Sequence, residues 1–231
     1  MVRDLAQGQG SHCLEIAWHL GPTMSPACSR EYLFAGREDS LALLVPQPHG
    51  WSQSVTRDNW SPAYGRAERA SVVTFGATDQ LPVDFATLLI AGENLEPDLG
   101  TLVKMKGPSA AVSAYRYSEQ HREHLFFFAD RSGRWTLEPW SSDADFLYAS
   151  FDREREEYAL IFCNGSYADA GGHRVLTYGK RVSYAEVLST AMKVEIFSSD
   201  PEPVVLQQPL DRVWAETKLN LLRNDPKRMG L

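Results

Sequence analysis

The chain has 231 residues, 43% of them hydrophobic and 23% charged, with a formal net charge of -7. Acidic excess without clustered Lys or Arg argues against nucleic acid as a partner, because affinity for a polyanion comes from grouped cations. No run of 18 apolar residues is present, so neither a transmembrane helix nor a membrane partner is expected. The size suits one large all-β domain or two small ones.

The first segment alternates with period two. Leu14, Ile16, Trp18 and Leu20 fall on one side; Cys13, Glu15, Ala17 and His19 fall on the other. Residues 32–35 and 41–45 are short apolar runs around Gly36-Arg37-Glu38-Asp39, which reads as a hairpin turn. Trp51 to Ala70 reads as a long loop between strands, rich in aromatics, Pro, Gly and Arg. Loops of that length in a compact domain are functional or cover another element. Residues 71–75 and 83–90 follow and are expected to pair. Further strands are expected at 112–117, 125–129, 146–151 and 158–163, and weaker ones at 175–178, 182–187, 191–197 and 204–206. Asp130-Arg131-Ser132-Gly133 and Asn164-Gly165 read as turns. Only the end looks helical: Leu210, Val213, Trp214, Thr217 and Leu221 recur at helical spacing between Pro209 and Pro226. The expected fold is all-β, an antiparallel β-sandwich of the super-sandwich kind over 1–208, with a short C-terminal helix and tail over 209–231 and no domain boundary.

Three cysteines, Cys13, Cys28 and Cys163, are odd in number and lack CxxC spacing, which argues against a disulfide framework or zinc site. His121-x-x-His124 has the spacing of two metal ligands on a helix, but its surroundings are polar and it reads as a solvated turn. The Arg153–Glu157 charge run reads as a hairpin tip. No phosphate loop, dinucleotide fingerprint, nucleophile elbow or zinc-protease motif occurs, so no catalytic residue, metal or cofactor is expected. The candidate ligand residues are Trp60, Tyr64, Arg66, Trp51 and His49. Aromatic faces stack on sugar rings, and a guanidinium fork pairs with a carboxylate or sulfate. The competing reading makes Trp60 and Tyr64 a plug over the sheet, with Arg66 paired to Glu68 or Asp58.

Several segments, in order, carry a resemblance. Asp4-Leu5, Gly8-x-Gly10-x-His12 and Leu14-Glu15-Ile16-Ala17-Trp18-His19-Leu20-Gly21-Pro22 come first. Gly50-Trp51, Trp60-Ser61-Pro62-Ala63-Tyr64-Gly65-Arg66, Leu81-Pro82-Val83-x-Phe85-x-Thr87-Leu88-Leu89 and Asn164-Gly165-Ser166 follow. Across residues 3–200 the series resembles the C-terminal β-sheet domain of heparinase II/III-like polysaccharide lyases. The resemblance implies a family in which a helical toroid carries most catalytic groups and the sheet domain closes the cleft. The implied chemistry is β-elimination at a uronate: a base removes the C5 proton and an acid protonates the departing O4.

The toroid is missing here, and so is the Gly-His-x-His segment of the family. The expectation is therefore a β-sheet module for acidic polysaccharide or oligosaccharide, inactive alone, partnered by a helical domain or by copies of itself. A different class is a stand-alone carbohydrate-binding or assembly module, and a third is a small intact lyase using Tyr64, His49 and Arg66. The first ten residues lack an apolar core of signal-peptide length. If Met1 is the true start, a cytoplasmic location is expected; a fragment of a longer secreted lyase belongs in the periplasm.

Overall fold

The computed structural model describes residues 1–26, 33–35 (backbone alone), 40–46, 50–61, 63–93, 99–107, 111–190 and 193–200. Every regular element among them is a β-strand, every strand pairing is antiparallel, and the chain divides into two compact units at Val103 and Lys104. The antiparallel β fold expected over 1–208 is thus laid out in two units. The expected strand at 204–206 and helix at 209–224 lie outside the described residues.

The first unit is a small sandwich. One sheet is ordered β1 (Val2–Ala6), β8 (Val83–Gly92), β5 (Ser40–Leu44), β4 (Leu33–Ala35), β3 (Ser25–Pro26). The other is β2 (Ser11–His19), β7 (Glu68–Gln80), β6 (Ser52–Trp60). Alternation works as expected on β2: Leu14, Ile16 and Trp18 are shielded while Cys13, Glu15, Ala17 and His19 are exposed. Ile16 and Trp18 join Leu43, Val73, Phe75 and Phe85 in a core shared by both sheets.

Two expectations change here. Residues 52–60 form a nine-residue strand, so the long aromatic loop is a hairpin arm with a short tip. β7 and β8 are consecutive but do not pair. A strand has two hydrogen-bonding edges, and β2 and β6 occupy both edges of β7. After Leu81-Pro82 the chain therefore crosses to the facing sheet, where β8 lies between β1 and β5.

The second unit is one strongly curved sheet, ordered β12 (Trp135–Leu137), β13 (Trp140–Ser142), β15 (Glu157–Ala170), β14 (Phe146–Asp152), β11 (Arg122–Ala129), β10 (Val112–Ser118). β16 (His173–Ser189) lies along β15, and β17 (Val194–Ser198) along β16; β9 (Thr101–Lys104) straddles the boundary between units. Asn164-Gly165 is not a hairpin turn. It is an irregularity inside β15, with Asn164 at φ 51° and a register shift after Gly165. The turn itself is Gly171-Gly172, both at positive φ.

The irregularity is clamped from outside the strand. The Asp143 carboxylate accepts the Ser166 and Tyr167 N–H groups at 2.7 and 3.1 Å and the Ser166 hydroxyl at 2.7 Å. Arg181 donates to Asp143 O at 2.9 Å and also to Asn164 O. Bulges bend strands and increase twist. Here the first half of β15 pairs with β14 and the second half with β13, and Trp135 and Trp140 close over the core against Phe127 at 5.3 and 5.7 Å.

Candidate functional site

Residues 61 and 63–67, which include Tyr64 and Arg66, lie between β6 and β7. The Ser61 hydroxyl donates inward to Arg66 O at 2.8 Å, with Ala63 O at 3.0 Å, and Arg66 N donates to Ala63 O at 3.0 Å. Gly65 takes φ +74°, a conformation other residues adopt only with strain. The tip is thus a hydrogen-bonded turn, and it holds the Tyr64 ring fully in solvent. No plug over the sheet is built from Tyr64. Among the described residues no ion pair engages Arg66, and neither Glu68 nor Asp58 is its partner; Asp58 instead accepts the Asn59 N–H at 2.7 Å. Exposed Arg57, Arg66 and Arg69 outnumber Asp58 and Glu68 around this end of the hairpin, a local cationic balance on an acidic chain.

Trp60 ends β6, half-buried, opposite Glu68. Trp51 precedes the other end of that strand. Nine residues of nearly extended chain separate the two indoles by roughly 30 Å, so Trp51 does not join Trp60, Tyr64 and Arg66 on one surface. The Trp51 ring lies 4.4 Å from that of Phe85 and forms part of the first unit's core. His49 is outside the described residues.

Trp51 also lines a cleft of about 270 Å3 where β1 and β2 border each other, with Leu5, Leu14 and Ile16 as apolar walls and Asp4 and Glu15 at its margin. β1 and β2 are each the terminal strand of their sheet among the described residues, and Val2 and Leu5 are exposed. This side of the sandwich therefore carries two strand edges and an apolar seam.

One further constellation was not legible as a site in the sequence. His124 is on β11, not in a turn, while His121 is exposed beside Glu154 at 3.3 Å. The metal-like spacing thus separates two unlike environments, and no group of three or more metal-ligating side chains exists among the described residues. His124 faces away from the main core, ringed by Tyr117, Phe126 and Tyr148. Its Nδ1 lies 2.8 Å from Tyr148 Oη, and its buried Nε2 lies 3.8 Å from Glu119 Oε1. Burial, reinforced by the Arg122 charge, pushes the imidazole down to about 4. Burial also raises the Tyr148 phenol, against hydrogen bonding from Ser150 and the Arg122 charge.

One hydrogen bond joins Nδ1 to the Tyr148 hydroxyl, while Nε2 lies beyond hydrogen-bond range of Glu119. Arg122 is held by Asp152 at 3.3 Å and Glu157 at 3.2 Å. The only sequence signal for this arrangement is the period-two placement of His124 with Phe126 and Phe128; which strands lie beside it is a matter of topology.

Comparison with protein-family models and with curated proteins returns no match to this chain. The functional reading therefore stands on the residues and their geometry.

Proposed function

We propose that this chain is a non-catalytic β module that presents acidic polysaccharide to a lyase of the heparinase II/III kind. The observation that carries the reading is Tyr64, an aromatic ring held wholly in solvent on a hydrogen-bonded tip. An amphipathic ring presented by a fixed turn pays little ordering entropy on stacking against a sugar. The unpaired Arg66 supplies a planar pair of donors for a uronate carboxylate or a sulfate. Trp60 belongs to the same hairpin end and extends the surface, whereas Trp51 acts in folding.

The open β1–β2 side supports the modular part of the reading. Two adjacent strand edges over an apolar seam suit an added segment or domain. On this reading the missing partner supplies the acid, the base and most of the cleft.

The test is calorimetric titration with uronate oligosaccharides against neutral oligosaccharides of equal length. Uronate binding is expected, weakened about ten-fold by Tyr64→Ala, the equivalent of 1.4 kcal/mol. Equal affinity of the parent and of Tyr64→Ala removes the tip as the site. Steady growth of ultraviolet absorbance from an unsaturated product, with this chain alone, refutes the non-catalytic assignment.

A further inference from the structure

The outer face of the second unit's sheet is a grid of side chains set by strand register. One row runs Tyr117, His124, Ser150, Ala159, Leu188, Glu195 across β10, β11, β14, β15, β16 and β17. A neighbouring row contains Tyr148, two residues before Ser150 on β14. The row on the opposite side contains Arg122, Asp152 and Glu157. Ser150 and Ala159 are the small members of their row, and at that point the face sinks into a cleft of about 320 Å3. Its walls include Tyr148, Arg122, Glu157, Leu188 and Glu195. The volume is at the lower end of small-ligand sites.

We propose that this cleft binds a monosaccharide-sized polyol bearing hydroxyl or amino donors and no carboxylate. The floor supplies apolar contact through Ala159, Leu188 and the Tyr148 ring, matching the C–H face of a sugar. Carboxylates outnumber cations among the described lining residues. The Tyr148 hydroxyl is engaged by His124 Nδ1 at 2.8 Å, and Ser150 lines the cleft beside it. Glu157 and Glu195 supply two carboxylates, the second also paired with Lys193 at 2.8 Å. Arg122, the one cation among the described lining residues, already faces Asp152 and Glu157. A uronate would bring a carboxylate against these acceptors without an uncommitted cation to receive it.

This site is independent of the β6–β7 tip and disfavours the acidic sugars proposed for the tip. The experiment is NMR titration of the whole chain at pH 7 with glucose, glucosamine and glucuronate, in the parent and in Ala159→Leu, Glu157→Gln and Tyr64→Ala. Saturable shifts of second-unit resonances in the millimolar range are expected with glucose, glucosamine or both, and weaker ones with glucuronate. Ala159→Leu, which fills the cleft from its floor while leaving the core face of β15 untouched, should abolish them. Glu157→Gln should weaken them several-fold, and Tyr64→Ala should leave them unchanged. Thermal melting of each variant reports folding separately. The proposal is overturned if none of the three sugars saturates these resonances, if glucuronate binds at least as tightly as the others, or if folded Ala159→Leu binds like the parent.

Discussion

Lowering the pH from 7 to 4 should destabilise the second unit through one residue, His124. Its imidazole titrates near 4 in the folded protein against 6.5 when solvated, because burial and then the Arg122 charge disfavour the cation. The unfolded chain therefore binds the proton first. Stability is complete above about pH 6.5, falls as the pH drops through the window between 6.5 and 4, and loses nothing more from this group below it. The shift corresponds to about 3 kcal/mol at 1.36 kcal/mol per pH unit, a large part of the 5–15 kcal/mol that typically holds a domain together. The assay is urea unfolding at half-unit pH steps, followed by the near-ultraviolet signal of the aromatic ring of residues around His124. His124→Asn keeps an acceptor toward Tyr148 and removes the titration, so its curve should be flatter by that amount across the same window. Parallel curves for parent and variant would refute the assignment of a buried neutral imidazole.

Other substitutions probe the scaffold. Gly165→Ala places a methyl 2.7 Å from Ala144 Cα and from the Phe162 ring inside a bulge clamped by Asp143; an unfolding free energy lower by about 1–3 kcal/mol is expected from such overpacking. Trp51→Ala and Tyr64→Ala should separate a core indole from a surface phenol: a loss of about 3 kcal/mol for the first, and a change within about 0.5 kcal/mol for the second, by chemical denaturation. Arg3→Ala removes one partner of Asp84, 2.8 Å away, from an ion pair whose side chains are 10% and 12% exposed. The expected loss is about 1–3 kcal/mol, and a neutral result would mean that this ion pair contributes nothing to folding.

The sequence by itself determined the β class and most strand positions, because period-two alternation is a local property of the chain. Leu14, Ile16 and Trp18 turned inward as their spacing required, and the Leu33–Ala35 and Ser40–Leu44 strands paired across the turn signals. Local reading failed where partners decide. Residues 52–60 carry polar side chains at most positions, yet form a strand because β7 offers an edge to pair with. Asn164-Gly165 has the composition of a turn, but Asp143 and Arg181 hold it inside a long strand. β7 and β8 look like a hairpin, but both edges of β7 are already occupied. The candidate sites divide in the same way. Tyr64 and Arg66 are neighbours in sequence, so their place on one turn is legible there. The His124 cluster and its adjoining cleft draw residues from β11, β14, β15, β16 and β17, and only their register brings a neutral imidazole, a phenol and small floor residues onto one face.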